Sequence, residues 1–338
     1  RESQSSPEVS PVSSATTPTA PTPPPPSPPP PAPPPAPPPP TGPRYPVHGR
    51  DRKLWLDRVL GNAGSPVSFV AAAGSRVLVA TEGATRLLDG KGGEVAPTLP
   101  AGRVRCLAVS ADGKRALLGR DQDAQLVDLE TGALLAELSH DKRSVTAAVF
   151  FGEGELATGD ASGRVRRFDP SGKPTMVPFL LADRSGFVSS IAVHHDDVLV
   201  VACEVGGFWI WSSGDPGGTG RLDTLVAMVS GSVLLTVVDG QLEFLDSALT
   251  GRAKAWPAHK GIPCALALSP RGTRAASAGG DGVVHVWRLG QDAASASLHD
   301  VFDPAVAGEA VLSLAFVDER TLLAGTKLGV VLKLIEKK

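Results

Sequence analysis

The chain has 338 residues, a formal net charge of −2 and no apolar run long enough to cross a membrane as a helix. The near-neutral balance lacks the basic footprint of nucleic-acid-binding domains, so we expect no DNA or RNA partner. The three cysteines, Cys106, Cys203 and Cys264, have no paired spacing, which does not favour a disulfide framework and predicts small buried side chains.

The first part of the chain is rich in proline. Residues 1–46 hold 21 of the 32 prolines, a composition that cannot form a core and that predicts a disordered, extended polyproline II tether over residues 1–48. A ligand for an aromatic-lined groove is the alternative for this segment. The sequence starts at Arg1 and runs straight into this tether, as a bacterial exported protein or lipoprotein does after its signal peptide is removed. We therefore expect an extracytoplasmic protein, with a lipid tether as one option and a cytoplasmic location left open.

Residues 49–338 consist of short apolar runs separated by turns. Each run has about five residues bounded by Gly, Pro, Asp or Ser, which predicts strands because helices need longer periodic stretches. A marker residue can be placed six positions from the end of each third strand, and neighbouring markers are 34 to 47 residues apart: Gly83, Ala124, Gly163, Gly206, Gly240, Gly282 and Gly329. A repeat of about 40 residues with several strands per unit is typical of a β-propeller. The pattern therefore predicts seven units in one domain.

Most units have a candidate outer fourth strand. The candidates are EVAPTL at Glu94, ALLAEL at Ala133, PTMVPFL at Pro174, RAKAW at Arg252 and ASLHDVF at Ala296, and the fourth unit shows none clearly. The seventh unit ends too close to Lys338 to supply its own. We expect Lys53 to Leu60 to supply it, which closes the ring by pairing distant parts of the chain. A short amphipathic helix is the alternative for these residues.

The stretch from His259 to Leu289 resembles a WD repeat, with His259 before the first strand, Ser277 in the second, Asp281 in the next turn and Trp287 closing the third. The resemblance implies a hydrogen-bonded chain through these four side chains, which suits the donors and acceptors that they carry. We interpret them as structural. The fold predicted is all-β, a seven-bladed β-propeller of four-stranded antiparallel blades.

The third unit repeats part of this pattern. His140, Thr158 and Phe168 stand at the same offsets as His259, Ser277 and Trp287, but Ser162 takes the place of the Asp. We expect the polar chain to be broken there.

The sequence shows no catalytic constellation. His194-His195-Asp196-Asp197 offers metal-binding residue types, but they fall in a turn without further ligands at fixed spacing, so we expect no metal and no cofactor. Neither a nucleophile elbow nor a phosphate-binding loop motif occurs. We therefore expect a protein that is not an enzyme. A lactonase-like or quinoprotein-like propeller with a site at the central channel remains the alternative.

The resemblance to WD-repeat proteins implies protein or peptide docking on the face that carries the loops before the first strands. The candidate binding residues in those loops are Arg103, Asp141, Lys142, Arg143, Arg184 and Lys260. Because five of them are cationic, this face would suit an acidic peptide, and an ordinary solvated rim is the alternative.

Overall fold

The computed structural model describes residues 54–180, 186–193, 198–204, 207–211, 216–218, 225–228, 233–238, 241–246, 252–256, 259, 263–289, 297–302 and 310–336. All of them belong to the unit Pro43–Lys338. The predicted tether, Arg184, His194–Asp197 and Lys260 lie outside the described residues.

The described strands form seven antiparallel sheets, named here sheets 1 to 7 in chain order. Sheet 1 contains β2 (Val67–Ala73), β3 (Arg76–Thr81) and β4 (Thr85–Leu88). Sheet 2 contains β5 (Cys106–Val109), β6 (Arg115–Gly119), β7 (Asp123–Asp128) and β8 (Leu134–Ser139). Sheet 3 contains β9 (Val145–Phe151), β10 (Glu155–Asp160), β11 (Arg164–Phe168) and β12 (Phe179–Leu180). Sheets 4 and 5 contain β13 (Val188–Val193), β14 (Leu199–Cys203), β15 (Gly207–Trp211) and β16 (Pro216–Gly218); and β17 (Leu225–Met228), β18 (Val233–Val238), β19 (Gln241–Asp246) and β20 (Arg252–Trp256).

Sheets 6 and 7 contain β21 (Pro263–Leu268), β22 (Arg274–Gly279), β23 (Val284–Arg288) and β24 (Ser297–Phe302); and β25 (Val311–Phe316), β26 (Thr321–Thr326), β27 (Val330–Glu336) and β1 (Leu54–Asn62). Every strand pair is antiparallel, and the described residues contain no helix. The all-β prediction is confirmed. The described part of the chain has no helix that is long and apolar enough to cross a membrane.

The first strands of the sheets contact one another in a closed cycle. β2 contacts β5, and the contacts continue in chain order through β9, β13, β17, β21 and β25 before returning to β2. Each sheet is therefore packed between two neighbours. This position explains why the second strands, such as β10 and β26, are buried at almost every residue.

The hydrophobic core lies in the layers between neighbouring sheets. One layer packs Leu126 and Leu138 of sheet 2 against Leu156 and Phe168 of sheet 3. The approach is close where second strands end, because a Cβ added to Gly159 would lie 2.3 Å from a methyl carbon of Val188 in the next sheet. Only glycine leaves room for that contact.

Small polar side chains connect neighbouring sheets at the starts of their first strands. The thiol of Cys264 donates to the Val311 carbonyl at 3.0 Å, and the hydroxyl of Thr146 donates to the Val188 carbonyl at 2.6 Å. Cys106 is buried as expected, but Cys264 is exposed, so the prediction that all three cysteines are buried was wrong for that residue. It lies at the start of β21, at the register shift between Pro263 and Ala265.

The predictions of the outer strands differ most from the structure. ALLAEL, RAKAW and ASLHDVF form β8, β20 and β24 as predicted. EVAPTL forms only an isolated bridge between Leu88 and Glu94, so the described part of sheet 1 has three strands rather than four. Pro97 and Pro100 lack the N–H groups that would continue that ladder. PTMVPFL contributes only its end to β12, and the fourth unit has a three-residue β16.

The predicted closure is confirmed. β1 pairs with β27 from Leu54 opposite Glu336 to Asn62 opposite Val330 and forms the outer strand of sheet 7. The helical alternative for this segment was wrong, because the backbone groups of LWLDRVL complete an otherwise open edge.

Candidate functional site

The hydrogen-bonded chain of sheet 6 is the first candidate site. His259 contacts Asp281 through Nδ1 at 3.1 Å and Ser277 through Nε2 at 3.0 Å, and the indole N–H of Trp287 donates to Ser277 at 3.2 Å. The turn after β22 places Asp281 beside His259, which precedes β21. All four residues named from the sequence thus lie in one continuous chain of polar contacts.

A second imidazole lies against this chain. The ring of His285 stacks on that of His259 with centroids 4.6 Å apart. Burial lowers the pKa of His259 below its usual value, although the neighbouring Asp281 acts in the opposite direction. Burial and the charge of His259 lower the pKa of His285 to about 4. Both rings are therefore neutral at physiological pH, which suits a structural role.

Sheet 3 contains a related arrangement that was predicted to be broken. His140 contacts Thr158 through Nε2 at 2.9 Å, and its Nδ1 lies 3.7 Å from a carboxylate oxygen of Asp160. Asp160 is the last residue of β10 and stands two positions before Ser162, whose side chain donates to it at 2.6 Å. The polar chain is broken as predicted, because the Nδ1 of His140 and the facing Oδ2 of Asp160 are too far apart for a hydrogen bond and have no other partner among the described residues. The sequence analysis missed that a carboxylate from the strand, Asp160, faces the histidine where the turn residue does so in sheet 6.

The burial of this second arrangement is complete. His140, Thr158 and Asp160 are each 0% exposed. Burial alone would raise the pKa of Asp160, but His140 and the hydrogen bonds from Ser162 and the backbone N–H of Arg164 lower it to about 2. The carboxylate is therefore ionised at physiological pH, and its Oδ1 accepts the hydrogen bonds from Ser162 and Arg164.

The end of the sheets where the first strands begin is named here the upper face, and the opposite end the lower face. Arg103, Asp141, Lys142 and Arg143 lie in upper-face loops and are exposed. Arg103 lies 4.0 Å from Glu82, whereas Asp141, Lys142 and Arg143 form one continuous loop before β9. The structure does not describe Arg184 and Lys260, the other two predicted binding residues.

Several upper-face arginines were missed by the sequence analysis. Arg166 of β11 donates to Asp141 at 2.6 Å, and Arg164 lies 4.0 Å from the same carboxylate. Arg105 donates to Asp121 at 2.5 Å. The spacing of Arg164 and Arg166 could have found them, since residues two apart in a strand share a face.

A buried arginine lies beneath the neighbouring loop. Arg120 is 8% exposed, donates to Gln125 and to the Pro100 carbonyl, and has its pKa lowered by desolvation. No carboxylate of the described residues lies within ion-pair distance of it. It adds a positive charge to the upper face of sheets 1 and 2.

Comparison with known proteins identifies the fold in which these contacts occur. Residues 252–288 match the family of the WD domain, G-beta repeat, and this span contains His259 and Trp287. The chain is similar in structure to the WD40 β-propeller domain of Doa1, with a TM-score of 0.71 and 16% identity over 85% of this chain and 98% of that domain. The fold is that of a WD40 β-propeller. No curated protein sequence matches the chain.

The WD40 propeller explains the roles of the two histidine chains. Each connects a loop before a first strand to the second strand of its own sheet, so the side chains position upper-face loops. A search for groups of at least three His, Cys, Asp or Glu that could hold a metal finds none among the residues that the structure describes. The arrangement can thus orient loops and present charged side chains on the upper face.

Proposed function

We propose that this chain is a non-enzymatic interaction scaffold that docks a partner protein or peptide on the upper face of a seven-bladed propeller. The closed cycle of contacts among the first strands of seven sheets supports the ring. WD40 propellers commonly mediate protein–protein interactions, and fold alone does not assign a reaction.

One observation carries the proposal. The His–Asp pairs are the groups best suited to acid–base chemistry, and in sheet 6 His259 is hydrogen-bonded to both Asp281 and Ser277 inside the fold. His140 and Asp160 have no surface exposure, so a substrate could not reach them. Exposed upper-face side chains such as Lys142 and Arg143 remain available for binding a partner.

Crosslinking with mass spectrometry tests this function. The full chain is crosslinked through lysines in extract of its source cell, and partner peptides are assigned to upper-face Lys142 and Lys327 or to lower-face Lys114 and Lys173. All four lysines are exposed, so the two faces react under matched conditions. We expect one partner to be crosslinked to the upper-face pair.

Charge-reversal variants test whether the partner binds the upper face. Arg103→Glu with Arg143→Glu should remove that partner, whereas the matched charge reversal Lys114→Glu with Lys173→Glu should retain it. Crosslinks confined to the lower face, or no partner together with a small molecule bound in native mass spectra, would overturn the proposal.

A further inference from the structure

We propose that the loop His140–Ser144 and the neighbouring arginines of β11 form a preorganised site for a linear acidic peptide. This inference rests on the proposed scaffold function and names the part of the upper face that is used and the chemistry of its partner. It is carried by three features of the loop: its backbone conformation, the contacts that hold it and its unpaired cations.

The backbone of the loop is strained at two consecutive residues. Asp141 has φ 51° and Lys142 has φ 60°, and they are the only non-glycine residues with positive φ in the part of the chain that the structure describes. The left-handed region is disfavoured for residues that carry a Cβ. Such a conformation persists only where the surroundings impose it, and it is often associated with function.

The surroundings of this loop do impose it. The buried His140 is fixed from below by Thr158, and its carbonyl accepts the N–H of Arg143 at 3.0 Å. From the side, Arg166 holds the carboxylate of Asp141 at 2.6 Å, and this hydrogen bond and charge lower the pKa of Asp141. The ends of the strained pair are therefore anchored.

This geometry presents cations to solvent. Lys142 and Arg143 are exposed, and no carboxylate of the described residues lies within ion-pair distance of either. The nearby carboxylates are already paired, since Asp121 binds Arg105 and Asp141 binds Arg166. An anionic partner therefore meets cations whose loop is already ordered, so that little conformational entropy is lost on binding.

The expected ligand is a peptide with several Asp or Glu side chains. Asp141 illustrates the chemistry, since a carboxylate lies between Arg164 and Arg166 in the free protein. A long polyanion such as nucleic acid suits the site less well, because the whole chain has a net charge of −2 and the cationic surface is local. A short acidic segment gains the local attraction without extended repulsion.

Fluorescence anisotropy of the full chain with a fluorescein-labelled peptide of alternating Glu and Gly tests the inference. We expect the wild type to bind, with an affinity that falls as salt rises. Lys142→Glu with Arg143→Glu should weaken binding by about tenfold or more. The matched lower-face reversal, Lys114→Glu with Lys173→Glu, should change it by less than about twofold, because those side chains lie at the other end of the sheets.

A second variant tests the role of the strained loop. Asp141→Ala removes a negative charge, so a surface that acts only through net charge would bind the peptide more tightly. We expect weaker binding instead, because the loop loses its anchor to Arg166. Thermal unfolding of each variant confirms that the fold is retained, since Lys142, Arg143 and Asp141 are exposed.

The outcomes separate this inference from the scaffold function. Any one of four outcomes would overturn the acidic-peptide site. These are no peptide binding, equal binding by the upper-face and lower-face reversals, tighter binding by Asp141→Ala, and preferential binding of an oligonucleotide. An upper-face partner found by crosslinking would still support the scaffold in those cases. Specific peptide binding combined with crosslinks only on the lower face would instead contradict the scaffold.

Discussion

Sheets 3 and 6 both place a histidine between a hydroxyl and a carboxylate, but they take the carboxylate from different parts of the chain. In sheet 6, Asp281 lies in the turn after the second strand, and its side chain is 12% exposed. In sheet 3, Asp160 is the last residue of the strand and is fully buried. The position next to the histidine is therefore specified by geometry rather than by one sequence offset, and the more deeply buried carboxylate should matter more for stability.

The largest expected difference comes from removing each carboxylate. Asp160→Ala leaves two backbone N–H groups and the Ser162 hydroxyl without their acceptor and removes the charge beside the buried His140, and we expect it to lower the free energy of unfolding by about 3–5 kcal/mol. Asp281→Ala should cost only about 1–3 kcal/mol, because water reaches that position. Urea unfolding midpoints compare the two variants. An equal or larger loss for Asp281→Ala would show that burial does not distinguish the sheets.

Acid should affect sheet 6 before sheet 3. The folded-state pKa values of His259 and His285 are lowered below the ordinary histidine value of 6.5, to about 4 for His285, so the unfolded chain binds more protons between these values. Their contribution to the free energy of unfolding is fully present above about pH 6.5 and is lost as the pH falls toward 4. The loss is about 2 kcal/mol after allowance for the partial exposure of His285. The pKa of Asp160 is lowered from 3.8 to about 2, so its contribution to the free energy of unfolding is lost only as the pH falls below about 4.

Replacement of His285 tests whether the stacked imidazoles cause this loss of stability in acid. His285→Val should reduce the loss of stability between about pH 6.5 and 4, measured by urea unfolding at successive pH values. An unchanged pH dependence would exclude the stacked imidazoles as its source.

The smallest expected effect concerns the aromatic residue that ends each chain. Trp287→Phe removes the indole N–H that donates to Ser277, and so gives sheet 6 the arrangement that sheet 3 has with Phe168. We expect the lost hydrogen bond to contribute about 1 kcal/mol, in addition to the cost of the smaller ring in the buried Trp287 site, read from the thermal midpoint. Phe168→Leu provides a control for lost ring volume without a lost donor. A Trp287→Phe variant as stable as wild type would mean that the indole N–H does not contribute.

The sequence predicted those parts of the fold that depend on local patterns. The second and third strands follow from apolar runs between turn residues, and β1 follows from the lack of room after β27. The outer strand at Glu94 was wrongly predicted although the sequence contained the opposing signal, since Pro97 within EVAPTL has no N–H group to donate to the ladder.

The site was harder to predict because its contacts join residues that are distant in sequence. The chain from His259 to Trp287 has a fixed spacing within one repeat, so it could be named in advance. The role of Asp160 could not, since it depends on the side of the strand that meets the loop before β9. Neither spacing nor composition signals the left-handed backbone of Asp141 and Lys142, which results from the contacts around them.

The ladder between β1 and β27 also affects the order in which the protein can be completed during synthesis. Leu54 leaves the ribosome long before its partner Glu336, so β1 has no native partner while the six sheets in between are made. Contacts of such large sequence separation form slowly, because a long loop must close before they form. We expect pulse-labelling hydrogen exchange during refolding to show β1 and β27 protected last, and early protection of β1 would argue against this order. A polar, charged face on β1, with Asp57 and Arg58, would keep this waiting strand from pairing with other chains.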